Sequence, residues 1–351
     1  MIVTDDTVDP VLGVGAAELA GAKGRGWFHG SGALDPAGTY AWHDLNTTLQ
    51  YGNLGPGQVR LVGGGIAADE LFRVSVAGGS RTFRRIVPEA VHRALATGAT
   101  LVIDQLDLVS PWADQVARAL AGVFTTRVQA NLYASLSGAP GFGLHQDTHD
   151  VFVVQGSGKK HWTLASEGEN AQVTMVPGDV LYLPEGTAHD VATDAQGSLH
   201  ITFAIPRPNM QELLAWTIAG SRDARMFAAL DDSAPQATAT ALTGLSRKIG
   251  EAEVSTFLEE NVDRGMAPSF VNLPHAARDA AELSATPTLV ARRSFVGVLP
   301  DGSDDHARVL ACLSATGETA VSELLARSGV DEPLAVVRDL ARRGLISLSE
   351  R

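Results

Sequence analysis

One cysteine, Cys312, is all this sequence contains. A single thiol forms no intrachain disulfide and supports no cysteine-held metal cluster, so any metal must be bound by His, Asp or Glu. Basic residues are also scarce: 27 Lys and Arg stand against 40 Asp and Glu, a formal charge of -13. That balance argues against a protein whose main task is neutralising nucleic-acid phosphates, and it suits a basic partner such as a Lys/Arg-rich peptide. No long apolar run is present, and the N-terminus, MIVTDDTVDP, carries acid where a secretory signal needs base. No membrane association is therefore expected, and the expected location is cytoplasmic. What is there is length and apolar content: 351 residues, 45% hydrophobic, enough for more than one domain and a substantial core.

The first 60 residues are rich in Gly and turn-formers and read as a loop-rich edge with one or two short helices. Glu89–Leu95 reads as a helix, Ala99–Ile103 as a short apolar strand, and Pro111 starts a helix through Trp112, Val116 and Leu120. From Arg127 the period changes to two: Val128, Ala130, Leu132 and Ala134 alternate with Gln129, Asn131, Tyr133 and Ser135. Val151–Val154 and His161–Leu164 flank Gly156-Ser157-Gly158 and read as a hairpin. Further short strands are expected at 173–175, 180–183, 190–192 and 199–204, with turns at Pro177–Asp179, Pro184–Gly186 and Asp194–Gly197. Many short strands at close spacing imply a β-sandwich or barrel. After Pro208 the pattern is helical at Met210–Ile218 and Glu251–Glu260, while the Ala/Thr-rich stretch Asp231–Thr243 carries little pattern. The last segment reads helix (306–313), helix (322–328), helix (333–343), Gly344 as a cap and a strand at 345–348, the order of a winged-helix module.

Three features of the strand-rich stretch carry chemistry. His145-Gln146-Asp147 would project an imidazole and a carboxylate to one side of a strand. Gly178-Asp179-Val180-Leu181-Tyr182-Leu183-Pro184-Glu185-Gly186-Thr187-Ala188-His189 contains a tight turn that returns the chain and aims His189 inward. Together they offer two neutral nitrogens and one carboxylate, the facial triad of non-haem Fe(II) oxygenases, which leaves metal positions open for a bidentate 2-oxo acid and O2. Ser198 and His200 share a strand face that would line the same cavity, His200 reading more simply as a buried core histidine. His149 reads either as a substrate contact or as a loop residue. The remaining histidines have no ligand partner at useful spacing.

Residues 98–206 resemble the JmjC/cupin-4 hydroxylases, the group that includes the ribosomal oxygenases. The matching runs are Gln129-Ala130-Asn131-Leu132-Tyr133, His145-Gln146-Asp147, Asp150 to Gly156, Lys159-Lys160-His161-Trp162, Gly178 to His189, and Ser198-Leu199-His200-Ile201-Thr202. The resemblance implies an α+β fold: a double-stranded β-helix core with flanking helices, a helical dimerisation segment and a C-terminal winged helix. It divides the chain into an N-terminal flanking region of the catalytic domain (1–97), the barrel (98–206), the helical segment (207–300) and a winged-helix-like domain (301–351). It implies Fe(II) at His145, Asp147 and His189, with 2-oxoglutarate as cosubstrate. Lys160 stands at the position that pairs its far carboxylate, and Asn131 and Tyr133 stand where relatives make polar contacts to it; Ser198 joins them as a cavity residue.

The expected activity is hydroxylation of a side chain in a protein or peptide, a ribosomal protein among the candidates, with release of succinate and CO2. Demethylation follows from the same chemistry where the oxidised carbon is bonded to nitrogen. A homodimer is expected through the helical segment. Two alternatives stay open: a metal-dependent cupin enzyme that does not use 2-oxoglutarate, and a cupin/winged-helix transcription regulator. The first more often carries His-x-His with a downstream Glu, whereas Asp147 holds the second position here. Against the second, residues 306–351 hold six Arg and six Asp or Glu, with no basic recognition helix, so direct nucleic-acid binding is not expected.

Overall fold

A computed structural model describes residues 9–219, apart from 64, 66, 78–80, 137–142 and 167–168, together with 235–250, 254, 256–258, 271–273, 275–277, 288–293, 303–313 and 318–350. The N-terminal region forms helices α1 (Ala16–Ala22) and α2 (Trp42–Tyr51), with a short strand β1 (Phe28–Gly30) between them. Strand β2 (Val59–Val62), the paired strands β3 (Phe72–Ala77) and β4 (Arg81–Ile86), helix α3 (Pro88–Ala96), strand β5 (Thr100–Ile103) and helix α4 (Pro111–Phe124) follow. Helix α4 starts where the sequence places it: Pro111 occupies the first turn, and the Ser110 side chain caps the helix by accepting from the Ala113 N–H.

The barrel strands are β6 (Gln129–Ser135), β7 (Asp150–Ser166), β8 (Glu169–Met175), β9 (Val180–Leu183) and β10 (Ala188–Ile205). They pair in the order β1-β9-β7-β10-β6-β5-β2, with β8 on the far half of β7. Strand alternation then sorts the apolar residues onto two faces. Phe152, Val154, Val180, Tyr182, Leu199, Ile201 and Phe203 pack with α4 and its neighbours in the main core. Val151, Val153, Trp162, Leu164, Val173, Met175, Leu181 and Leu183 form a second cluster facing the barrel interior.

The hairpin expected at Gly156–Gly158 does not form. Strand β7 runs through it for 17 residues, and β10 likewise runs through the expected turn at Asp194–Gly197. The glycines serve bulges and close approach instead of reversal. Leu199 pairs Ser157 but His200 pairs Gln155, which leaves Gly156 as an extra residue on β7. A Cβ on Gly156 would lie 1.9 Å from the Tyr40 carbonyl oxygen, so only glycine lets that loop cover the strand. At the other irregularity, Thr193 pairs Lys160 and Ser198 pairs Gly158, so the residues read as a turn are an excursion of β10.

Beyond the barrel lie α5 (Met210–Ala219) and α6 (Pro235–Gly250). The Ala/Thr-rich stretch is therefore helical from Pro235 onward, because alanine outweighs its neighbours in helix propensity and Thr240 and Thr243 direct their hydroxyls to the carbonyls of Gln236 and Ala239. Residues 231–234 lie outside the described residues. Of the helix expected at 251–260, Val254 and Thr256–Leu258 are described and are helical.

The C-terminal segment holds α7 (Asp304–Ala311), α8 (Val321–Arg327), α9 (Pro333–Arg342) and a sheet ordered β12 (Thr319–Ala320), β11 (Leu289–Arg293), β13 (Ile346–Glu350). Its own core joins Leu289, Val309, Leu324, Val337, Leu340 and Ile346. Strands β11 and β12 were not evident from the sequence, since five and two residues carry too little period to be read. No helix among the described residues is long and apolar enough to cross a membrane.

Candidate metal centre

Backbone bonds bring the three candidate ligands together. His145 and His189 form an isolated antiparallel bridge, each N–H donating to the other's carbonyl at 3.0 and 2.8 Å. The Gly186 N–H donates to the Asp147 carbonyl at 3.0 Å, so the 184–187 turn is tied to the ligand beside it. His145-Gln146-Asp147 is thus not a regular strand, as its alternation suggested, but a loop held by a single bridge. One potential ligand atom from each of His145, Asp147 and His189 lies within 4.8 Å of the others, and Asp147 Oδ2 is 3.7 Å from His189 Nε2.

The ring orientations are fixed from behind. His145 Nδ1 lies 2.8 Å from the Gly143 carbonyl and His189 Nδ1 lies 2.9 Å from that of Thr187. A carbonyl accepts only, so each Nδ1 carries the proton and Nε2 is the unprotonated nitrogen, the arrangement that metal-binding histidines require. Burial, followed by the neighbouring His145, pushes the His189 pKa below its ordinary value and keeps this imidazole neutral, although its bond to Thr187 and the Asp147 charge act in the opposite direction.

A pocket of about 80 Å³ opens beside these residues, lined by Tyr133, Lys160, Trp162, His200 and Thr202 among others. Lys160 is 4% exposed and donates to Thr193 Oγ1 at 2.6 Å; burial lowers its pKa to about 8. A larger cavity of about 780 Å³ lies outside the barrel, among α2, α3 and β4. None of the metal-ligand candidates lines it, so size does not mark the chemistry here.

The other residues singled out in the sequence are distributed as follows. Tyr133 lines the small pocket, its ring stacked on His200 with centroids 5.1 Å apart. Asn131 is not among the pocket's lining residues, and its Oδ1 accepts from the Gln105 N–H and from Gln129. Ser198 is fully buried and accepts from Gln155 Nε2 at 2.8 Å, also outside the lining. Both lie on β6 or β10 near the pocket, but their hydrogen bonds are made elsewhere.

Two residues were given no role in the sequence. Thr193 sits directly opposite Lys160 in the register, and only the continuity of β10 reveals it. Asp150 is fully buried and accepts from the Tyr182 hydroxyl, the Glu185 N–H and Arg207, at 2.8, 2.8 and 2.9 Å. It fastens the start of β7, strand β9 and the turn that delivers His189. Asp150→Ala would leave these donors facing a cavity, and we expect it to lower stability by about 3 kcal/mol and to weaken metal binding. Urea denaturation with the wild-type midpoint would show that this carboxylate does not hold the turn.

Comparisons with known proteins find likenesses to the barrel and to the fold as a whole. Residues 108–174 and 166–213 match the JmjC domain family model. The bifunctional lysine-specific demethylase and histidyl-hydroxylase NO66 of Branchiostoma floridae is 37% identical over 116 residues, covering 30% of this chain and 19% of that protein. The Dictyostelium discoideum NO66 is 36% identical over 103 residues, covering 23% and 20%. The matched part is thus about a fifth of these relatives' length. Among solved structures, the Escherichia coli ribosomal oxygenase YcfD superposes with a TM-score of 0.59 at 16% identity, covering 92% of this chain and 94% of that one. A YcfD structure with cobalt and 2-oxoglutarate superposes with a TM-score of 0.58 over the same shares. At that identity the likeness establishes the fold, which extends over nearly the whole chain. The barrel strands thus coincide with the stretch that matches the JmjC domain model and the NO66 relatives, and that stretch is where this chain is similar to JmjC-domain proteins.

Proposed function

We propose that this protein is an Fe(II)- and 2-oxoglutarate-dependent oxygenase that hydroxylates a side chain of a protein or peptide, releasing succinate and CO2. The observation that carries this reading is the convergence of His145, Asp147 and His189 beside a buried lysine in one small pocket. Two imidazole nitrogens and one carboxylate suit Fe(II) and leave open positions. His145 and His189 would bind through Nε2, since each Nδ1 is committed to a carbonyl. Iron with 2-oxoglutarate and O2 supplies the oxidising power for inserting oxygen into a C–H bond.

The remaining work falls to the chain's own residues. Lys160 would pair the far carboxylate of 2-oxoglutarate, with Thr193 holding its ammonium in place. Tyr133 would contact the same molecule, while Asn131 and Ser198 would act through the strands they brace. The apolar wall of Val151, Trp162 and Val191 excludes bulk water. The substrate side chain would approach past the half-exposed His145 and Asp147.

The chain's negative charge favours a basic substrate, in keeping with a ribosomal oxygenase among its structural neighbours. Exposed Met210, Ile218, Leu242 and Val254 support helical pairing of two copies through the 207–300 segment. The C-terminal helices and three-stranded sheet support a winged-helix module, and the equal Arg and acid counts favour protein contact over DNA. The test is succinate release from 2-oxoglutarate by the Fe(II)-loaded protein in air, with ribosomal proteins offered as substrates. One added oxygen atom on a peptide, seen by mass spectrometry, is the expected result; no succinate under any metal or substrate condition would sink the reading.

A further inference from the structure

The cavity of about 780 Å³ between α2, α3 and β4 shares no lining residue with the small barrel pocket. Neighbouring residues on β5 point to opposite faces, so Thr100 meets the barrel pocket while Leu101 meets this cavity. Its volume falls in the range of small-molecule sites, about 300–1,000 Å³. The floor belongs to the main core, through the buried Leu45, Leu54 and Leu101, and the half-buried Trp42, Leu49 and Ile86 add walls. Tyr51 and Leu136, exposed at 73% and 45%, border it as well, so apolar surface continues from the cavity into solvent.

The charge at this cavity is the reverse of that of the chain. Arg84, Arg85 and His92 line it, and no Asp or Glu is among its lining residues, although the chain holds 40 acids against 27 Lys and Arg. The reversal extends along the β3–β4 ribbon, where residues 72–86 hold four Arg and no acid. Arg73 stands directly opposite Arg85 in the register, and like charges so placed destabilise a strand pair. Arg84 and Arg85 are exposed, and no carboxylate among the described residues bridges to either. Asn46, Gln50 and Asn53 supply further N–H donors to the same cavity.

We propose that this cavity is a binding site for an alkyl-chain carboxylic acid, its chain against the leucine-rich wall and its carboxylate on Arg84 and Arg85. The guanidinium presents a fork of donors that matches a carboxylate. A mostly aliphatic wall packs a flexible chain and offers little for ring stacking. A basic peptide would meet two uncompensated arginines here, and an uncharged lipid would leave them unpaired. The site stands independently of the oxygenase reading, because none of its residues belongs to the metal centre.

The experiment is calorimetry with dodecanoate, kept below its micelle-forming concentration and titrated into the full chain without added metal. Wild type should bind one dodecanoate per chain. The double variant Arg84→Gln/Arg85→Gln, altered at two exposed positions, should bind it roughly 10- to 100-fold more weakly, as the loss of charge-assisted hydrogen bonds predicts. Dodecanol, which lacks the charge, should bind both proteins alike. Leu49→Trp, which fills the cavity from α2, should block both ligands, and Lys160→Met should bind dodecanoate as wild type does. A wild type that binds no dodecanoate, or binds it without saturation, overturns the proposal. So does a double variant within twofold of wild type, or a Leu49→Trp protein that melts like wild type and still binds. Loss of binding in Lys160→Met would place the acid in the barrel and overturn it equally.

Discussion

Replacing Asp147 with alanine is expected to reduce succinate formation about a thousandfold, on the order of 4 kcal/mol, while the protein stays folded. Asp147 is the single anionic member of the candidate triad. Removing it leaves two neutral imidazoles to hold a dication, and losing even groups that merely orient such ligands costs roughly 10- to 100-fold. Its carboxylate is about one-third exposed, and it lies 3.7 Å from Nε2 of the neutral His189. The fold therefore loses little with it, and the bridge between His145 and His189 is made by backbone atoms that the substitution leaves in place. Metal titration and succinate release, measured on the same preparations, check this result. If Asp147→Ala turns over within tenfold of wild type, Asp147 is not a ligand and the triad assignment fails.

Lys160→Met should show the second large effect, with opposite signs for binding and stability. Deleting one partner of a buried ion pair costs about 3–5 kcal/mol, which corresponds to 2-oxoglutarate affinity falling by roughly two to nearly four orders of magnitude. The empty protein should gain stability instead. Burial lowers the Lys160 pKa from 10.5 to about 8, so at neutral pH the native state holds a buried cation at a cost of about 3 kcal/mol. The sign follows from proton counting. Between pH 8 and 10.5 the unfolded chain keeps the proton that the native protein releases, so wild-type stability rises with pH across that window. Below pH 8 both states are protonated and the full penalty applies. Lys160→Met should therefore exceed wild type by about 1–3 kcal/mol at pH 7, the loss of the Thr193 bond taking part of the gain, and the difference should close by about pH 10.5.

The same titration shapes binding. Only the ammonium form pairs a carboxylate, so wild-type affinity for 2-oxoglutarate should decline above pH 8, approaching tenfold per unit, and be flat below it. Calorimetry across pH 6.5–9.5 on the manganese form, with urea denaturation of the empty form, reads both curves. A flat affinity profile through pH 9.5, together with a destabilised Lys160→Met protein, would mean that Lys160 is a structural residue.

Much of the site was legible because its parts are local. Pro184-Glu185-Gly186 fixes a turn whatever surrounds it, and three residues later the chain must place His189 beside that turn. His145 and Asp147 were legible as types, although their presentation was not: alternation suggested a strand, whereas one backbone bridge and the Gly186 bond hold a loop. The hairpin at Gly156–Gly158 illustrates the opposite outcome. Glycines mark either a reversal or a close approach, and only the Tyr40 carbonyl lying over Gly156 distinguishes the two. Thr193 and the bracing role of Asp150 escaped notice because their partners are 30 or more residues away.

By itself, the sequence determined the class of chemistry. Without cysteine pairs any metal had to rest on His and carboxylate; the charge of -13 weighed against a phosphate-rich partner; and period-two runs broken by Pro and Gly pointed to a sandwich or barrel. These are properties of composition and short-range sterics, and they survive any arrangement of the rest. Tertiary structure alone decided which nitrogen of each histidine faces the pocket, that Lys160 is buried against Thr193, and that β7 and β10 run unbroken past their glycines. Those outcomes depend on carbonyls and strands brought close by folding, a contact that no local pattern encodes.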